Sequence, residues 1–363
     1  MFQLWRRSSH QPIGIEFDSH GIRLAQVRPG QAGLSVVTAT VQAPPAEAKP
    51  NDAGLLVDLL EQALDAAAFH RRDVVTCLPP SQLWLRHMRM APMPNDELRA
   101  AAHWQAAQQL NLDPGAFQSD LLDVGDVIEN AKPKRELIVV AATSEALQQH
   151  LDILTQAGLN PLAIDVPACA IARCLAWRAL REGQPGPQLI LNIGRTTSTL
   201  VIAHEGLPRF VRNISVGTAD VDQRLAKALE MPLDEAQRLG DARRGLDASE
   251  ESPASADASM GAALDDARQP LVRELAQALS MSLQHYARLS RQPAPTHGTL
   301  VGEGAVEPTL DQLLSQATGL MFSMPTHQPT PQSAAPHLWT VATGLSLYHA
   351  AAHADQVSTG AAA

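Results

Sequence analysis

The chain has 363 residues and sets 28 Lys and Arg against 38 Asp and Glu, a formal net charge of −10 at pH 7. That length allows more than one domain, and the acidic balance excludes the broad basic surface that nucleic-acid binding uses. Cys77, Cys169 and Cys174 have neither zinc-site nor redox-pair spacing, no apolar run approaches the roughly 18 residues of a bilayer span, and the first ten residues lack a signal-peptide core, so the expectation is a cytoplasmic protein with buried thiols.

In chain order, residues 1–11 are a leader in which Phe2, Leu4 and Trp5 stand beside Arg6 and Arg7, either a frayed end or a short foot on a membrane surface. Strands are predicted at Ile13–Phe17, Ile22–Val27 and Leu34–Val41, joined by the tight turns Asp18–Gly21 and Pro29–Gly30. A Pro/Ala-rich linker over 42–52 leads into an inserted α+β domain. Within it, Leu56, Leu59, Leu60 and Leu64 mark one face of a helix over Gly54–Ala68, followed by strands at Asp73–Leu78 and Leu83–Met90. Asn95 is expected to cap a helix ending at Leu110, and Ser144 a helix closed by Gly158, with strands Phe117–Val124 and Leu137–Ala142 between them. A strand over Pro161–Asp165 and a helix opened by Pro167 complete this part, before a Gly/Pro linker at 183–187.

The stretch Gln188–Gly217 reads as three more strands, with a first turn at Gly194–Ser198 rich in hydroxyls and small residues. Such a turn can present backbone N–H groups and Ser/Thr oxygens to a phosphate. The strand–turn–strand–turn–strand unit therefore occurs twice, which argues for two related halves. Glu16 and Asn192 occupy the same place near the end of the first strand of each unit. Two such hairpins facing each other across a cleft make a nucleotide-binding arrangement. Beyond them, helices are expected at Asp220–Leu229 and Asp234–Arg243, a Ser/Ala/acid-rich mobile loop at Ala248–Ala263, and a long helix at Leu271–Leu289 burying Leu271, Leu275, Leu279, Leu283 and Tyr286. A Gly-rich strand-to-helix turn at Gly302–Pro308 lets the backbone approach a ligand closely. Residues 323–337 are expected to form a Pro/His-rich surface loop, and Thr340–Leu347 a final helix before an Ala-rich end that frays past Ala350.

Taken together, GIEFDSHGIRLAQV (14–27), MRMAPMPNDELRAAAHWQAAQQL (88–110), ELIVVAATSEALQQHLDILTQAGLNPLAIDVPACAIARCL (136–175), LNIGRTTSTLVIAHEGLPRFVRNISVG (191–217), LVGEGA (300–305) and ATGLSL (342–347) resemble the PilM family of type IV pilus assembly proteins, actin-like nucleotide-binding proteins related to MshI and the cytoplasmic domain of GspL. The resemblance implies an α/β, two-lobed actin-like ATPase fold with duplicated meander-and-helix subdomains and an inserted SHS2-like domain. It implies a first lobe from 12–42 and 160–187, an insert over 43–159, a second lobe from 188–230 and 298–350, a helical and mobile subdomain over 231–297 and a disordered tail from 351. It also implies ATP with Mg²⁺ between the lobes, and a partner role in which a groove between the insert and the first lobe takes the N-terminal tail of a PilN-like inner-membrane protein. Pilus assembly and motor components are the wider partners, and the membrane is reached mainly through the partner.

On this resemblance the phosphate contacts are Ser19, His20, Gly21 and Arg23 from the first hairpin and Gly194, Thr196, Thr197 and Ser198 from the second, with Gly302 and Gly304 behind the adenosine. Glu16, Asp18 and Asn192 flank the metal position. The chain departs from the family at several of these: Glu16 and Asn192 stand where the family has Asp, Asp18 where it has Gly, Arg23 where Lys is common, and Glu303 interrupts a run of glycines. Asn192 brings neither charge nor a base, so the leading expectation is an adaptor of pilus assembly with bound or vestigial nucleotide and weak or absent hydrolysis. The alternatives are an active ATPase or phosphotransferase using Glu16 and Asp18 as its catalytic carboxylates, and a filament former like other actin relatives.

Overall fold

The computed structural model describes residues 11–18, 21–30, 33–42, 53–69, 71–182, 186–246, 258–289, 294–325 and 335–349. The leader up to residue 10, Ser19 and His20, the linker over 43–52, His327 and the Ala-rich end from residue 350 lie outside them. The chain divides into two compact units, one drawn from Met1–Pro185, Glu205–Arg209 and His327–Ala363, the other from Gly186–His204 and Phe210–Thr326.

The first unit opens with β1 (Ile13–Asp18), β2 (Gly21–Gly30) and β3 (Gly33–Gln42), then α1 (Ala53–Asp65), β4 (Asp73–Cys77), β5 (Trp84–Met90), α2 (Asn95–Leu110), β6 (Phe117–Glu129), β7 (Lys132–Thr143), α3 (Ser144–Gln156), β8 (Asn160–Asp165) and α4 (Pro167–Glu182). Its main sheet has the order β3-β2-β1-β4-β8, an antiparallel meander extended by two parallel strands. The apolar positions of β1 and β2 alternate as a half-buried sheet requires. Ile13, Ile15, Ile22 and Leu24 bury against Leu59, Leu60 and Leu64 of α1 and Leu154 of α3.

This sheet narrows the insert. The strand over 73–77 and the helix over 53–65, expected inside the 43–159 domain, belong with the first meander because β4 pairs with β1 and α1 covers that sheet. The separate three-stranded sheet, order β5-β7-β6, runs only from Trp84 to Thr143 and carries one helix, α2, with Met88, Phe117, Val139 and Ala141 packed on Ala102 and Ala106. Two caps also shift by one residue. Pro94 precedes α2 without a side-chain cap, and Asn95 instead accepts a bond from Arg135. At α3 the capping hydroxyl is that of Thr143, which accepts from Ala146 N, with Ser144 as the first helical residue.

The second unit repeats the plan. It runs β9 (Gln188–Ile193), β10 (Ser198–His204), β11 (Leu207–Ile214), α5 (Thr218–Ala228), α6 (Leu233–Arg243), α7 (Ala258–Leu289), β12 (His297–Val301), α8 (Leu310–Thr318) and β13 (Met321–Ser323). Its sheet order, β11-β10-β9-β12-β13, is again a meander followed by two parallel strands. Leu271, Leu275, Leu279 and Tyr286 of α7 join Leu191, Leu200 and Leu300 in one core. α7 begins at Ala258, so the last six residues of the expected 248–263 loop are helical, while 247–257 lie outside the described residues.

The final helix, α9 (Thr340–Ser346), was expected in the second lobe but belongs to the first unit. Ser346 Oγ donates to Pro12 O at 2.7 Å and accepts from Val27 N at 2.9 Å, and Arg173 of α4 donates to Gly344 O at 2.6 Å. His337, expected in a surface loop, is only 6% exposed, because the helical turn Pro336–Trp339 lies against β2 with Trp339 on Ala25 and Val27.

Candidate functional site

In the first unit the polar end of β1 meets β2. Glu16 pairs in register with Arg23, and Asp18 with Gly21, which closes the hairpin at a φ of 135°. Arg23 is buried, forms an ion pair with Asp18 and stands 4.0 Å from Glu16. Burial, partly offset by Arg23, pushes the Glu16 carboxyl up to about 7, and its Oε2 makes no hydrogen bond among the described residues. The sequence expected Arg23 to meet phosphate; the fold spends its charge on the two carboxylates of its own hairpin. Beside them, burial first and Glu16 second drive the Cys77 thiol up, which leaves it inert.

In the second unit Gly194, Arg195, Thr196 and Thr197 form the turn between β9 and β10. Gly194 N donates to Thr197 O at 3.2 Å, while the carbonyls of Gly194 and Arg195 accept from Thr218 N and Ala219 N at the start of α5. A side chain on Gly217 would run into those carbonyls, so glycine there permits the close approach. The N–H groups of Arg195, Thr196 and Thr197 make no hydrogen bond among the described residues, and neither do the hydroxyls of Thr196 and Thr197. Consecutive free donors on a short turn are a concavity for an anion.

Ser198 does not join them. It is fully buried and its hydroxyl donates to Val216 O at 2.8 Å, fixing β10 to the segment before α5. Gly302 has φ 84°, and a Cβ there would meet Asn192 Oδ1 and Ile193 O; one on Gly304 would meet the Ile193 side chain. These glycines let the turn after β12 lie flat on the end of β9. Between them Glu303 turns inward, 5% exposed, and accepts a hydrogen bond from the Thr218 hydroxyl.

A second polar group, absent from the sequence expectations, lies under this turn. Arg195 Nη1 stands 3.4 Å from Asp222 and 3.7 Å from Asp241. Arg244 donates to Asp222, Asp241 and Glu307 at 2.9–3.2 Å. Burial opposes the Arg244 charge, yet Asp222 and Glu307 hold its pKa above the ordinary arginine value. Nothing in the sequence marks these residues, because isolated charges between helix positions read as solvated surface.

The donor set fits a phosphate at the second turn. It does not fit a metal: Asn192 is neutral, Glu16 titrates near neutrality and Asp18 is committed to Arg23. Among the described residues no group of three or more His, Cys, Asp or Glu could hold an ion, and no helix is long and apolar enough to cross a membrane.

The chain is similar to a chain of the PilM-PilN type IV pilus biogenesis complex, 23% identical with a TM-score of 0.73 over 94% of this chain and 99% of that one. It is similar to the ethanolamine utilization protein EutJ from Carboxydothermus hydrogenoformans, 11% identical with a TM-score of 0.55 over 94% and 90%. MreB5 of Spiroplasma citri bound to AMPPNP is 12% identical, with a TM-score of 0.51 over 97% and 99%. These likenesses show the two-lobed actin-like fold. The family model for type IV pilus assembly protein PilM matches residues 14–327, and the chain belongs to that family.

Proposed function

We propose that this protein is a cytoplasmic adaptor of type IV pilus assembly that binds the N-terminal tail of a PilN-like inner-membrane protein. Family membership and the likeness to a chain of the PilM-PilN complex support the partner. The tail docks in the first unit, between the insert and the main sheet, through apolar contacts. The protein reaches the membrane and the motor components of the pilus through that partner.

ATP binds at the hairpin turns and is turned over weakly or not at all. The observation that carries this reading is the contrast between the two turns: the second offers three free N–H groups, while the first has neutralised its own cation with Asp18. Gly302 and Gly304 back the adenosine. General-base chemistry needs an ionised carboxylate aimed at the attacking water. Glu16, titrating near 7, is only partly ionised at neutral pH and faces Arg23 of its own hairpin, and Asp18 is paired with that same arginine.

Calorimetric titration of the full chain with Mg·ATP, and then with a peptide from the N-terminus of the neighbouring inner-membrane protein, tests both parts. Heat from the peptide supports the adaptor, and its absence ends it. Steady phosphate release that disappears in the Glu16→Ala, Asp18→Ala double variant would instead establish an ATPase.

A further inference from the structure

Arg195 is the residue of the second turn that the nucleotide reading leaves unexplained. Its backbone is part of the turn, and its carbonyl takes the Ala219 N–H at 2.8 Å. Its guanidinium points the other way, toward Asp222 of α5 and Asp241 of α6. Nη1 is buried and makes no hydrogen bond among the described residues, so charge rather than directed bonding holds it.

The rest of the group is fastened more tightly. Arg244 is forked onto Asp222 and also bonded to Asp241 and Glu307, and Arg268 Nε stands 3.7 Å from Glu307. Glu307 follows Gly304 by three residues, and its backbone N–H donates to Gly304 O at 3.1 Å. Three arginines thus face three buried or half-buried carboxylates, Asp222, Asp241 and Glu307. Removing one cation leaves a carboxylate without its counter-charge in a water-poor place. The phosphate turn, α5, α6 and the segment after β12 are all tied to this one group, and Arg195 is the turn's charged link to it.

We propose that Arg195 is a positioning residue: its pairing with Asp222 and Asp241 fixes the turn against α5 and carries phosphate occupancy of the turn to α6. The coupling rests on the nucleotide reading above; the positioning does not. An anion on the free N–H groups of residues 195–197 changes the field at a guanidinium whose Nη1 no hydrogen bond restrains among the described residues. Asp241, half-buried on α6, is shared by Arg195 and Arg244, so a shift of one is felt by the other.

The test is amide hydrogen exchange on the full chain with and without Mg·ATP, for the wild type, Arg195→Lys, Arg195→Ala and Asp241→Asn. The amides of Gly194, Thr218 and Ala219 report the turn, since each is bonded within it or to it. Without nucleotide, Arg195→Ala speeds their exchange about tenfold while the β9 and β12 amides stay protected, and Arg195→Lys restores most of the protection. Loss of protection across the whole unit would mark a merely structural role and overturn the proposal, as would wild-type exchange in Arg195→Ala. With Mg·ATP, the wild type gains protection in α6, and Arg195→Ala and Asp241→Asn do not. If the wild type takes up no ATP, the nucleotide reading and the coupling fall together, and the nucleotide-free comparison still decides the positioning role. If Arg195→Ala does not fold, Asp241→Asn, which takes away one of the two carboxylates facing Arg195, carries the same comparison, with faster exchange of the same three amides expected and unchanged exchange overturning the proposal.

Discussion

His150 and His337 lie in the first unit with their rings shielded from water, at 8% and 6% exposure. His150 Nε2 shares a 2.8 Å hydrogen bond with Thr76 Oγ1, and His337 Nε2 has no partner among the described residues. Burial lowers both to about 4, with Arg23 adding to the effect at His337. The folded state therefore binds fewer protons than the unfolded chain between that value and the ordinary histidine range. Their contribution to stability is complete above about pH 6.5 and is lost as pH falls toward 4, on the order of 3 kcal/mol each at the limit. Urea unfolding at pH 7.5 and pH 5 measures it: His337→Gln should show a smaller loss on acidification than the wild type, and an equal loss would contradict the burial argument. Glu16 works in the opposite sense. Its folded pKa, about 7, is raised, so its contribution is present at low pH and is lost as pH rises through 7. Glu16→Gln should gain stability over the wild type at pH 8 and not at pH 4.

Elements in this protein meet through glycine and through buried charge. A Cβ on Gly14 of β1 would run into Ala342 O of α9, and one on Gly344 into Ala170 O of α4. Backbone-to-backbone contact leaves no side chain to move aside, so Gly344→Ala should cost about 3 kcal/mol or more in thermal or urea unfolding. A loss under 1 kcal/mol would mean that α9 can slide along α4. In the second unit the Arg244 side chain is almost wholly enclosed among Asp222, Asp241 and Glu307. Arg244→Met removes the one cation hydrogen-bonded to all three, leaving them only the longer pairings with Arg195 and Arg268, and should destabilise by about 3–5 kcal/mol, whereas the Arg244→Met, Asp222→Leu pair should recover part of it. The caps expected at Asn95 and Ser144 follow the same logic: Thr143 Oγ1 reaches Ala146 N in place of Ser144, while Asn95 Oδ1 accepts from Arg135 and α2 starts after Pro94 with no side-chain cap.

At the scale of the molecule, the same plan of a three-strand meander plus two parallel strands appears in both units, each with a polar hairpin turn at the end of its first strand. The turns differ in charge. The first holds Arg23 against Asp18 and Glu16, while the second keeps three donors free above an internally balanced group of arginines and carboxylates. A protein built this way is expected to bind ATP more readily than it hydrolyses it. Titration of the Thr196→Ala, Thr197→Ala variant checks the first half of that statement: nucleotide affinity should fall about tenfold with little change in unfolding midpoint. Unchanged affinity would remove the two threonine hydroxyls from the site.

The sequence by itself determined the strand-and-turn units, their duplication, the leucine stripe of α7 and the family, because these are written in local periodicity and in short runs of consecutive residues. Only the tertiary structure decided that β4 pairs with β1, that α9 closes the first unit, that Ser198 points inward, and that Arg195, Asp222, Arg244 and Glu307 meet. Those contacts join residues far apart in the chain, and a charge destined for burial carries no mark in its neighbours until folding brings its counter-charge to it.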